Sequence, residues 1–155
     1  MYVYRIIRLI FIVLYRPSFA TRCLIPFYSD RISAGFPSPA SDYEEEKIDL
    51  NEELIAHPSS TYMLRAEGNS MIGAGIFDQD LLVVDRSLTP KNGSIVIASL
   101  YGELTVKRLK IVQSHTHGDQ IILAAENPDY PEIHIRTSEE IIWGVVSYAV
   151  RDLIK

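Results

Sequence analysis

The chain has 155 residues, 47% hydrophobic and 23% charged, with one cysteine and a formal net charge of −5. That length and balance fit one globular domain with a short extension and exclude a disordered chain. The single thiol, Cys23, excludes a disulfide framework or a cysteine-built zinc site and suits a reduced cytoplasmic protein, while the net acidity excludes a molecule that grips nucleic acid by overall charge.

The charge is uneven. Residues 1–34 carry five arginines against one acid, Asp30, so this arm is basic and the rest of the chain strongly acidic. The longest uninterrupted apolar run of the arm, Leu9 to Tyr15, has seven residues, whereas a membrane-spanning helix needs about 20. Basic residues before a short apolar run also occur in export signals, but no small-x-small cleavage site follows. No membrane association is expected; the arm reads as strand-forming, and the status of residues 1–24 is open. The stretch AGFPSPASDYEEEK, residues 34–47, has linker composition. Its prolines favour extended backbone and its acids resist burial. The expected division is arm 1–34, linker 35–47 and body 48–155.

The body opens with DLNEELIAHP, which predicts one short helix: Asp49 caps it, Glu52 follows three residues on, Leu50 and Leu54 share a face and Pro58 stops it. After that the helical period disappears. TYMLRAE, DLLVVDR, SIVIASL, ELTVKRLKIV, QIILAA, EIHIRT and IIWGVVSYAV are short and rich in β-branched or aromatic residues. Turn signals at Pro90–Gly93, Tyr101–Gly102, His117–Asp119 and Asn127–Pro131 divide them. The pattern predicts a mainly β domain of short antiparallel strands.

Candidate chemistry centres on AEGNSMIGAG, residues 66–75, where Ser70 stands in a glycine-bounded turn. The turn does not match a phosphate-binding loop. HTHGD, residues 115–119, offers a His-x-His pair but no third ligand at a recognisable spacing, so no metal is expected. His57, His115, His117 and His134 carry no triad signature with Ser70. Another base is Lys107, in GELTVKRLKIV, 37 residues after Ser70. Strand alternation puts Lys107 on one face with Leu109 and Ile111 and leaves Arg108 as the solvated charge of the other. A serine hydroxyl is a weak nucleophile until a base takes its proton. An ordinary lysine is only about 0.04% neutral at pH 7. Burial disfavours the ammonium and raises that fraction by orders of magnitude. The backbone N–H groups of Asn69 and Ser70 are candidates to meet a developing oxyanion.

AEGNSM, DQDLLVVDR, GELTVKRL, AAENPDYPEIHI and WGVVSYAV together resemble the LexA/UmuD family of self-cleaving serine peptidases, from about Ile25 to the C-terminus. SAGFPSPASDYEEEKIDLNEELIAHPSSTY resembles the UmuD-type SOS mutagenesis proteins more than the repressors. The resemblance implies a peptidase domain of short, curled antiparallel sheets with a flexible N-terminal arm. It implies Ser70 as nucleophile, Lys107 as general base and Ala34-Gly35 as the bond cut, with no cofactor. Small residues suit a narrow site, and glycine lets the chain bend there. The implied partners are a second copy of the chain, a RecA filament on single-stranded DNA that stimulates cleavage, and an error-prone translesion polymerase of the UmuC type. No direct sequence-specific DNA binding is implied. Three features depart from relatives: Asn69 stands where aspartate is frequent, residues 1–24 match nothing in the family, and the bond is Ala-Gly, as in the repressors, where some UmuD relatives have Cys-Gly. A non-catalytic partner-binding β module is the alternative. A LexA-like repressor fragment fits less well, because 34 residues without a helix-turn-helix pattern precede the bond. A membrane signal peptidase also fits less well, because Ile72 follows Ser70-Met71 where that family has proline.

Overall fold

The computed structural model describes residues 22–28, 34–35, 45–112, 120–135 and 142–154. Most of the arm, linker residues 36–44 and the His115–Asp119 loop lie outside the described residues. The elements are β1 (Leu24–Tyr28), β2 (Glu45–Asp49), α1 (Leu50–Leu54), β3 (Thr61–Arg65), β4 (Leu81–Asp85), β5 (Ile95–Leu100), β6 (Glu103–Val112), β7 (Gln120–Ala124), β8 (Ile133–Ile135) and β9 (Ile142–Val150). A 3₁₀ turn covers Ile72–Ala74. All seven segments expected as strands from Thr61 onward are strands, and the fold is mainly β and antiparallel as expected.

Those seven strands form one sheet in the order β3-β4-β9-β5-β6-β7-β8, with every pairing antiparallel. Both of its faces are buried. Ile97 joins a core of Leu64, Ala66, Met71, Ile76, Leu82 and Val84, while its neighbours Val96 and Ala98 join another with Leu109 and Leu123. This explains why β5 reads as a continuous apolar run rather than an alternation. The hairpin between β5 and β6 turns on Tyr101 and Gly102, both at positive φ (53° and 85°). That is the two-residue turn whose twist matches its strands.

The sheet is bent where β9 runs between β4 and β5. Ile97 pairs with Gly144 and Ala98 with Ile142, so Trp143 is an extra residue; Val83 pairs with Tyr148 and Val84 with Val146, so Ser147 is another. Bulges bend a strand and increase its twist. Two of them on this inner strand help each face close over a core. Gly144 lies between them, and a Cβ there would stand 2.7 Å from Val84 Cγ1.

Two local readings need correction. The helix is a single turn that ends at Leu54, well before Pro58, because the next residue, Ile55, leaves helical geometry and is buried. Asp49 does cap it, accepting the Asn51 N–H at 3.0 Å. Glu45 to Lys47, inside the stretch read as linker, belong to β2, which pairs with β1 as a separate two-stranded ribbon. Among the described residues no helix is long and apolar enough to cross a membrane.

Candidate active site

The sheet brings Ser70 and Lys107 together. Lys107 Nζ lies 3.0 Å from Ser70 Oγ, 3.2 Å from Thr105 Oγ1 and 2.9 Å from the Val106 carbonyl oxygen. Lys107 is 7% exposed, on the same face of β6 as buried Leu109. Its three partners are neutral oxygens. Burial lowers its pKa from the ordinary lysine value. Arg108, expected as a solvated charge, is instead half-buried and ion-paired to Glu126, with a further bond from its Nη1 to the Gly93 carbonyl at 2.7 Å. Glu126, in the loop after β7, and the Gly93 carbonyl give the Arg108 guanidinium partners that draw it out of solvent.

The serine turn is fastened from several directions. Met71, next in the chain, is 1% exposed and packs in one core, so the half-buried Ser70 is anchored by its neighbour. Asp78 Oδ1 accepts the Gly68 N–H at 2.7 Å, and Gly68 takes the left-handed conformation (φ 84°) that glycine allows. The loop after β7 supplies the rest. Glu126 N–H donates to the Ser70 carbonyl at 2.9 Å, Gly73 N–H donates to the Glu126 carbonyl at 2.7 Å, and Asn127 Nδ2 donates to the Asn69 carbonyl at 2.9 Å. Gly73 leaves no space for a side chain, since a Cβ would meet that Glu126 oxygen at 2.6 Å.

Two clefts meet at Ser70. One, of about 380 Å³, combines apolar Leu64, Ala66, Leu82, Ile97, Leu104 and Val106 with polar Arg65, Glu67, Glu103 and Thr105. The other, of about 340 Å³, is lined by Gly68, Asn69, Thr105, Lys107, Tyr130, Pro131 and Ile133. Ala34 and Gly35 form an exposed bend and are not among the lining residues of either cleft. Of the histidines weighed as partners for Ser70, His57 is bound through Nδ1 to Asp85 Oδ2 at 2.5 Å and His134 is exposed on β8. His115 and His117 lie outside the described residues. Among the described residues no cluster of three His, Cys, Asp or Glu side chains could hold a metal.

Sequence reading missed Thr105, Asp78, Glu126 and Asn127. Asp78 and Asn127 were visible only as members of an acid-rich loop and a turn signal. Thr105 was predictable as a same-face neighbour of Lys107 two residues away.

A family model described as peptidase S24-like matches residues 26–147. Protein MucA of Salmonella typhimurium is 48% identical over 128 residues, covering 81% of this chain and 84% of that protein. Protein ImpA of Shigella flexneri is 44% identical over 126 residues, covering 81% and 82%. LexA repressor 1 of Pseudomonas syringae pv. tomato is 38% identical over 123 residues, covering 78% of this chain but 58% of the repressor.

Proposed function

Because the chain belongs to the peptidase S24-like family, we propose that it is a self-cleaving SOS mutagenesis protein whose Ser70 and Lys107 cut the Ala34-Gly35 bond. One observation carries this reading: a buried lysine amine 3.0 Å from the hydroxyl of a serine in a fastened turn. Neutral Lys107 accepts the Ser70 proton as Oγ bonds the Ala34 carbonyl carbon, and the carbonyl electron pair moves to its oxygen. The N–H groups of Asn69 and Ser70 receive that oxyanion. When the pair returns, the C–N bond breaks and the Gly35 nitrogen takes the proton from Lys107. Water then hydrolyses the ester, with Lys107 again as base.

Ala34 and Gly35 do not line the clefts, so on this reading cleavage waits for the bond to be placed. Placement makes the step unimolecular and is therefore the control point. A RecA filament on single-stranded DNA favours the placed conformer. The shortened protein, as a homodimer in the cytoplasm, then serves an error-prone translesion polymerase of the UmuC type.

The test is intact mass of the purified chain at alkaline pH, and separately with RecA, ATP and single-stranded DNA, beside a Ser70→Ala control. The expected result is two products matching a break between Ala34 and Gly35, absent from the control and faster with RecA. A folded wild-type chain that stays whole under both conditions refutes the peptidase reading.

A further inference from the structure

Asn127 is 8% exposed, and its amide uses both ends: Nδ2 donates to the Asn69 carbonyl at 2.9 Å and Oδ1 accepts the Asp129 N–H at 3.1 Å. The first bond spans 58 positions of sequence. Its target is not an arbitrary carbonyl. The Asn69 C=O and the Ser70 N–H belong to one planar trans peptide, so they point in opposite directions and turn together. Holding the carbonyl therefore aims the N–H. Likewise the Ser70 C=O, which accepts from Glu126 N–H at 2.9 Å, shares a peptide plane with Met71 N–H. Among the described residues the Ser70 N–H donates to no protein acceptor.

We infer that Asn127 is a positioning residue for acyl transfer: by holding the Asn69 carbonyl from behind, it fixes the direction of the Ser70 N–H as an oxyanion donor. This deepens the peptidase reading and rests on it. A hydrogen bond accepted at the carbonyl also polarises the peptide, making its N–H a better donor. The loop that carries Asn127 is itself braced by the Arg108–Glu126 ion pair, and Arg108 directly follows Lys107 on β6. One strand thus carries the base and, through its next residue, steadies the loop that orients the donor.

Asn127→Asp separates this role from simple packing. The carboxylate keeps the size and the acceptor for Asp129 N–H but loses the donor to Asn69. The expected self-cleavage rate at the alkaline plateau falls about 10- to 100-fold, somewhat below the loss of a whole oxyanion donor. The backbone amide ¹H and ¹⁵N shifts of Ser70 move in the same variant. The midpoint of the pH–rate curve is read in Asn127→Ala, which adds no charge near the buried amine, and it stays where it is, because Lys107 is untouched. A rate within about twofold of wild type in either variant, or a moved midpoint in Asn127→Ala, overturns the assignment. Asn127→Ala, which loses both bonds, is the second variant should the carboxylate prevent folding, and the same outcomes apply. If wild type itself does not cleave, the peptidase reading fails first. The Ser70 amide shifts then decide alone whether Asn127 orients that peptide, and unchanged shifts overturn it.

Discussion

A lysine amine with three oxygen neighbours can satisfy them in either protonation state. Charged, it donates to Ser70, Thr105 and Val106; neutral, it has two N–H groups and one lone pair, and the Ser70 O–H can donate to that pair. Deprotonation therefore strands no partner, which is what a general base in a buried place requires. Cleavage should rise with pH through the lowered pKa of Lys107 and level off below the ordinary lysine range, a profile that a rate series by intact mass measures. Stability moves with it. Because burial lowers the folded-state pKa, the unfolded state binds more protons between the folded and unfolded values. Stability thus increases with pH across that window, and the cost of the buried ammonium is complete below it. Lys107→Met removes that cost, so the variant should be inert yet more stable at pH 7 by chemical denaturation. An equally stable or weaker variant would show that the bonds of the ammonium offset its burial.

At the scale of elements, β9 shows how a rigid site is made from a curved sheet. Its two extra residues flank Gly144, where β4 leaves no room for a side chain. Gly144→Ala should cost about 1–3 kcal/mol by overpacking, read as a lower denaturation midpoint without change in the pH midpoint of cleavage. The seven strands of the sheet were legible because β-branched runs alternate with Gly, Pro and Asn turn signals. The bulges were not, since Trp143 and Ser147 differ from ordinary strand residues only in what lies opposite them. Of the β1–β2 ribbon, β1 falls in the arm read as strand-forming, but β2 was not legible: the acids of the linker argue against a strand, and they are tolerated because the ribbon pairs along one edge of each strand. Ser70 and Lys107 were legible as a pair only through the joint pattern of turn, strand and family resemblance. Asn127 was legible as a turn residue and no more, because its bond to Asn69 joins segments 58 positions apart.

Across the whole molecule, the acid-rich loop between the serine turn and β4 acts as a set of ties. Asp78 holds Gly68. Asp80 holds the Phe77 N–H and both Nε and Nη2 of Arg151, near the C-terminus. Arg151 also donates to the Gly75 carbonyl and lies 3.7 Å over the Phe77 ring, so the chain end is fastened to the segment that follows Ser70. Beyond that loop, at the end of β4, Asp85 holds Ser60, Ser87 and His57; burial alone would raise its carboxyl, but these hydrogen bonds outweigh it and bring the pKa down to about 2. Arg151→Ala leaves Asp80 buried without its cation, and both the thermal midpoint and the cleavage rate should fall. Loss of stability with an unchanged rate would limit this tie to folding.

The order of the chain around the cut has a further consequence, carried by the place where the two clefts meet. On the proposed reading, the acyl group left on Ser70 belongs to the departing arm, while the new amine at Gly35 remains joined to the body. Before the cut, both halves share one molecule and meet at high effective concentration. After hydrolysis the pairing of β1 with β2 still holds the arm, and once those strands part, dilution makes resealing negligible. A single event thus becomes a lasting record, held by translational entropy rather than by any bond.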